Sequence, residues 1–258
     1  VRKTSLALLL CAAGAWAAGQ PWSPEDLWNR HIPRDPRISS DGQQVVYVED
    51  WYDRATDAAC SNLWLVSTRD KQLRQLTGGP WRDRSPRWSP DSTRIAWISG
   101  RGGIHVLNLN SGDESALDAS PLGLAGSPLG LAGSPLALAW SPDGRSIAFT
   151  AQVTAPTAPP AWAPPAILPW LYPHAPIRTA LFVVPAAGGP AQAVTGPDFD
   201  AVGEPAWVPE GQRAAKSILI AAADGQIYSI GLADRVARRL TDDSNRNQGP
   251  LPSPDSAK

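Results

Sequence analysis

The stretch Leu138-Ala-Trp-Ser-Pro-Asp-Gly-Arg-Ser-Ile-Ala-Phe-Thr150 constrains this chain more than any other, because the chain repeats it. It reads as strand, tight turn, strand. Ser141-Pro142-Asp143-Gly144 fits a type I turn, with proline pre-setting φ at the second position and glycine favoured at the fourth. Ile147, Ala148 and Phe149 then resume a strand-prone apolar run. Pro86-Arg-Trp-Ser-Pro-Asp-Ser-Thr-Arg-Ile-Ala-Trp97 repeats the pattern with Ser92 at the glycine position, and Pro36 to Tyr47 repeats it with Ile38 in place of the tryptophan. Pro205-Ala-Trp-Val-Pro-Glu-Gly211 is a worn copy, and Pro250 to Lys258 begins a fifth.

These copies start at residues 36, 86, 138, 205 and 250, so the intervals are 50, 52, 67 and 45 residues. Propeller blades are four-stranded units of roughly 40–50 residues. Two further strands should therefore lie between successive copies. Asn62-Leu-Trp-Leu-Val66 followed by Leu73-Arg-Gln-Leu-Thr77 meets that need, as do Ala180 to Val184 with Ala191 to Thr195, and Gln226 to Ile230 with Val236 to Thr241. The second unit has Ile104 to Leu109 but no clear Leu-Thr ending. A hairpin pair that cannot cover its own faces must stack on copies of itself.

The expected fold is all-β: a partial β-propeller of about four four-stranded blades plus the start of a fifth, preceded by a signal peptide and a short helix. The blades fall at about 35–80, 81–119, 134–200 and 201–245 within a propeller region of 35–258, with the fifth beginning near 249. Residues 1–17 read as the signal peptide: Arg2-Lys3 is basic, Leu6 to Ala13 is apolar, and Ala15-Trp16-Ala17 is a cleavage site. The apolar run is too short to span a bilayer, which takes about 20 residues. Leu10-Cys11 hints at a lipoprotein signal, but bulky Leu10 stands where a small residue belongs. Export places the mature chain in the periplasm or outside the cell. In residues 18–34, Ser23 suits an N-cap, Pro24 the first helical position, and Glu25 and Asp26 the positive helix end.

Two segments break the period. Ser120 to Gly126 is duplicated as Ser127 to Gly133, and its prolines and glycines exclude a stable helix, so it reads as a surface loop between blades. Residues 151–178 hold eight prolines among Trp162, Trp170, Tyr172 and His174. Such a run cannot pair inside a central sheet and should loop out between the second and third strands of the third blade.

The chemistry is sparse. A net charge of −1 with scattered Lys and Arg points away from nucleic acid and from a membrane surface. There is no Gly-x-Ser-x-Gly elbow, phosphate loop, dinucleotide fingerprint or zinc signature. His31, His105 and His174 lie far apart without ligands at metal spacing, so neither a metal nor a cofactor is expected. Cys11 leaves with the signal, and Cys60 remains as the one mature cysteine, either a free thiol or bonded to a partner elsewhere. Asp41, Asp91 and Asp143 recur as turn residues whose carboxylates can accept from local backbone N–H groups. Trp88, Trp97, Trp140 and Trp207 fall at blade-core positions. No catalytic residue is assigned.

The Ser-Pro-Asp-Gly hairpins, the Leu63-Trp-Leu-Val66 strand and the Leu76-Thr-Gly78 ending resemble the repeats of TolB-like proteins and of the prolyl oligopeptidase family. Trp22-Ser-Pro-Glu-Asp-Leu27, Asp35-Pro36, Ser39-Ser-Asp-Gly42 and Val45-Val-Tyr47 resemble the opening of exported acylaminoacyl-peptidase or dipeptidyl-peptidase-like members. The resemblance implies a serine peptidase with an N-terminal propeller and a C-terminal α/β-hydrolase domain that carries the Ser, Asp and His. None of that triad falls on these residues. The implied partners are that hydrolase domain and short peptides, whose access the propeller restricts. A stand-alone TolB-like periplasmic binding module and a non-functional remnant are the other two readings.

Overall fold

The computed structural model describes residues 23, 26, 28–117, 130–154, 177–196, 198–210 and 213–253. Residues 1–17, the duplication up to residue 129 and residues 155–176 of the proline-rich run lie outside the described residues, as does the end of the fifth copy.

The described residues form four antiparallel sheets of four strands, each a meander taken in chain order. The first holds β1 (Ile32–Ile38), β2 (Gln44–Asp53), β3 (Ala58–Ser67) and β4 (Leu73–Gln75). The second holds β5 (Arg84–Trp88), β6 (Arg94–Ile98), β7 (Ile104–Asn108) and β8 (Glu114–Leu117). The third holds β9 (Gly130–Trp140), β10 (Ser146–Thr154), β11 (Ile177–Pro185) and β12 (Gln192–Ala193). The fourth holds β13 (Ala201–Glu210), β14 (Arg213–Ala222), β15 (Ile227–Gly231) and β16 (Ala237–Arg239). The first strands of successive sheets adjoin one another, β1 to β5, β5 to β9 and β9 to β13, which is the inner wall of a propeller arc. Thr154 pairs with Ile177, so the chain that includes the proline-rich run leaves and rejoins the third blade between its second and third strands. The third blade opens at Gly130, inside the second duplicate.

Stacking explains why the middle strands are apolar on both sides. In β6, Ile95 and Trp97 pack with Val46, Val48, Leu63 and Leu65 of blade one. Their neighbours Ala96 and Ile98 pack the opposite way, with Leu138, Ile147 and Phe149 of blade three. Similarly, Ala148 and Leu181 of blade three meet Ile218, Ile220 and Ile230 of blade four. A strand buried on both faces carries a continuous apolar run. The outermost strands β4 and β16 are exposed throughout.

The repeated turn closes as its sequence requires. Gly144 N–H donates to the Ser141 carbonyl at 2.9 Å. Ser141 Oγ donates to the Asp143 carboxylate at 2.6 Å, and Arg145 N–H donates to the same oxygen at 3.0 Å. Ser39 with Asp41 and Ser89 with Asp91 repeat this arrangement, each at 2.5 Å. Gly42, Ser92 and Gly144 take positive φ of 71°, 58° and 66°. A second repeat closes the outer hairpin: Thr77, Thr195 and Thr241 hydroxyls each accept a backbone N–H at 2.9 Å, from Leu63, Leu181 and Ile227.

Of the short helix, residues 24, 25 and 27 lie outside the described residues. Asp26 and Trp28 are helical, and Ser23 N–H donates to the Asp26 carboxylate at 2.7 Å, half of a capping box. Trp28 then packs edge-on against Tyr52 of β2, with ring centroids 4.7 Å apart.

Candidate site on the inner wall of the arc

Each blade contributes its first strand to the inner wall, and each strand carries a proline two residues before its tryptophan position, except the third, where Leu138 stands there. The ladder slips at this point in β1, between Arg34 and Arg37, and in β5, between Arg84 and Arg87. In β13 it slips between Val202 and Ala206. Asp35, Ser85 and Gly203 take positive φ of 47°, 55° and 81° there. A left-handed L-residue costs about 1–2 kcal/mol. A bulge also re-aims side chains. Here it turns a set of charged groups toward the axis.

Arg87 of β5 is at the centre of that set. Its Nε and Nη2 donate to the two carboxylate oxygens of Glu204 on β13 at 2.5 and 2.6 Å. Its Nη1 donates to Asp35 of β1 at 3.1 Å and to the Pro86 carbonyl at 2.7 Å. Arg37 donates to Asp35 at 2.7 Å and lies 3.6 Å from Glu204. Burial works against the Arg87 charge, but the bonds and charges of Glu204 and Asp35 outweigh it and hold the guanidinium above its ordinary pKa. Two cations and two anions thus neutralise one another across blades one, two and four. Ion pairs of this kind tie the blades together.

Beside this lock is a cleft of about 660 Å³, lined by Arg34, Asp35, Asp50, Arg82, Arg84 and Ser85 among others. Arg34 is paired with Asp50. Arg84 donates to the Pro135 carbonyl of β9 at 2.6 Å. Its pKa is lowered by burial and by the neighbouring charge of Arg82. A second cleft, of about 440 Å³, opens on blade one between His31, Glu49, Trp51 and Trp64.

The tryptophans do more than fill the core. Trp88 Nε1 donates to the Arg37 carbonyl at 2.9 Å, Trp140 to the Arg87 carbonyl at 3.0 Å, and Trp207 to the Ala139 carbonyl at 3.0 Å. Each indole therefore fastens its blade to the one before it. Trp97 is buried with no such bond and lies 5.5 Å from the His105 ring. Blade one has Ile38 at the equivalent place, and it is 63% exposed.

The remaining singled-out residues are held by structural bonds. Asp41, Asp91 and Asp143 accept turn bonds as expected, and all three carboxyls lie below their ordinary pKa. Ser39 is the main cause for Asp41 and Ser141 for Asp143; at Asp91 burial pushes upward, and the bonds from Ser89 and Thr93 outweigh it. His105 is buried and bonded to Glu114 at 2.7 Å, and His31 meets Glu49 at 3.0 Å. His174 lies outside the described residues. Cys60 is a buried free thiol whose pKa is raised by that burial. Among the described residues no cluster of His, Cys, Asp or Glu has metal-binding geometry, and no helix is long and apolar enough to cross a membrane.

No model of a known protein family matches the chain. Over 95 residues it is 32% identical to YuxL of Bacillus subtilis (strain 168), an uncharacterised peptidase; the match covers 35% of this chain and 14% of YuxL. TolB from Acinetobacter baumannii has the same fold, with a TM-score of 0.51 and 20% identity over 83% of this chain and 45% of TolB. The uncomplexed acylaminoacyl peptidase of Pyrococcus horikoshii superposes with a TM-score of 0.56 and 14% identity, covering 86% of this chain and 34% of that enzyme. The chain thus spans less than half the length of these proteins. The resemblance read from the repeats is met in sequence by a peptidase and in fold by the propellers of TolB and acylaminoacyl peptidase.

Proposed function

We propose that these residues form the non-catalytic propeller portion of an exported serine peptidase of the prolyl oligopeptidase type. The propeller caps an α/β-hydrolase domain and restricts its substrates to short peptides. The observation that carries this reading is the 32% identity to a peptidase over 95 residues of a chain whose fold is a propeller arc. The charged inner wall is compatible with it, since the Arg87–Glu204 pair holds the blades in a fixed arrangement and carries no catalytic group.

The test has two parts. The reading frame beyond Lys258 should encode a Gly-x-Ser-x-Gly elbow, and the 258-residue chain alone should not hydrolyse aminoacyl or dipeptidyl p-nitroanilides. N-terminal sequencing of the exported product should begin at Ala18, after the Ala15-Trp16-Ala17 site. The fold shared with TolB leaves room for a second reading, a periplasmic protein-binding propeller. A frame that completes the blades and then stops would select it.

A further inference from the structure

We infer that the cleft between blades one and two is an oxyanion-binding site, built from the guanidinium groups of Arg82 and Arg84. The charges in the cleft are unevenly paired. Each carboxylate lining it is already engaged: Asp50 by Arg34, and Asp35 by Arg37 and Arg87. Arg82 and Arg84 have no carboxylate partner among the described residues, yet both line this one cleft, and burial followed by the charge of Arg82 lowers the Arg84 pKa. Two guanidinium groups beside one opening, both without a counter-charge, favour an anion between them. Arginine forks suit planar carboxylates and phosphates because they donate two parallel bonds.

The backbone beneath Arg82 is held in place before any ligand arrives. Ser61 N–H donates to the Trp81 carbonyl at 2.8 Å, and Asp83 N–H donates to the Ser61 carbonyl at 3.0 Å. Ser61 Oγ also donates to the Asp83 carbonyl at 2.7 Å. On the other side, Gly100 approaches so closely that a Cβ there would stand 2.3 Å from the Arg82 nitrogen. The buried Asp83 carboxylate accepts from Ser99 Oγ at 2.9 Å and from Gly100 N–H at 3.1 Å. Arg84 is anchored through the Pro135 carbonyl. Binding an anion therefore orders chiefly the Arg82 side chain, on a backbone already held in place, which lowers the entropic cost of binding. The volume of about 660 Å³ admits a small peptide end.

The anion site rests on the cleft itself. That the anion is the free carboxylate of a short peptide rests on the function proposed above. Calorimetric titration of the full chain at low salt separates the two, using N-acetyl dipeptides as free acids, the same dipeptides as C-terminal amides, and inorganic phosphate. The free acid should bind about tenfold or more tightly than the amide, as expected for a charge-assisted pair of bonds. R82Q should abolish that preference without lowering the thermal midpoint, because the Arg82 side chain makes no bond among the described residues. R84K, which keeps the charge and loses the fork, should weaken binding less than R82Q. Phosphate binding lost in R82Q, with no discrimination between acid and amide, would uphold the anion site and remove the peptide from it. Equal binding of acid, amide and phosphate by the natural chain and R82Q, or no heat from any of them, would overturn the site.

Discussion

The indole nitrogen of Trp140 donates to the backbone carbonyl of Arg87 at 3.0 Å, joining the third blade to the second at the same inner strand that carries the axial ion pair. Trp140 is 8% exposed, and the Arg94 guanidinium covers its ring at 4.7 Å. Replacing it by phenylalanine keeps much of the apolar contact and removes the donor. Trp140→Phe should lower stability by about 1–3 kcal/mol, the cost of a lost buried bond and a small void. Urea unfolding followed by far-UV circular dichroism measures it, with Trp207→Phe expected to behave alike.

Arg87 and Glu204 form a two-pronged pair in which Arg87 is only 13% exposed. Glu204→Gln should destabilise by roughly 1–3 kcal/mol, since it leaves a guanidinium largely buried with half its counter-charge. A double-mutant cycle with Arg87→Gln should show positive coupling, because the second change removes the stranded cation. Additive losses would mean that the pair holds nothing together.

Ser92 takes φ of 58° where the first and third blades use glycine. Its one bond across blades, from Asp41 N–H, is long at 3.4 Å. Relief of a left-handed L-residue should outweigh that bond, so Ser92→Gly should stabilise by about 0.5–1 kcal/mol. The thermal midpoint reads this directly.

Gly100 faces the Arg82 backbone with no room for a methyl group. Gly100→Ala must move either the loop after β6 or the strand entry at Arg82, at a cost of about 1–3 kcal/mol. Unfolding in urea and the Arg82-dependent anion titration should both respond to it.

The turn carboxylates contribute to the acid limb of stability. Asp41, Asp91 and Asp143 have folded pKa values below their ordinary ones. Their contribution is therefore complete above the unfolded carboxylate value near 3.9 and is lost as pH falls through the lower folded values. Ser141→Ala removes the main cause at Asp143 and should make the fall of stability below about pH 4 shallower. Urea midpoints measured across the acid range would show it.

How much of this was legible in the chain depends on whether a feature is local. The turn chemistry of Ser141 to Gly144, the outer hairpins and the burial of Trp140 and Trp207 all follow from short patterns, and each is found as read. The blade order also follows, because a repeat that buries nothing alone must stack. The axial lock did not show, since Arg87 and Glu204 are 117 residues apart and meet only after three blades have turned about the axis. Even so, both flank a proline in the same register, Pro86 and Pro205, and that shared position was the available signal. The indole bonds were hidden for another reason: their acceptors are main-chain carbonyls, which no residue type announces. The worn copy at Val208-Pro-Glu210 lacks the serine that elsewhere bonds the turn carboxylate, so its pattern was weaker.

The indole bonds all run one way. Blade two takes its acceptor from blade one, blade three from blade two, and blade four from blade three, while the Ile38 side chain at the head of the series has no donor to offer. A ribosome releases the blades in that same sequence, so every newcomer finds its foothold already finished. Synthesis and docking share a polarity, and a nascent chain of this design can grow like a staircase laid from the bottom step.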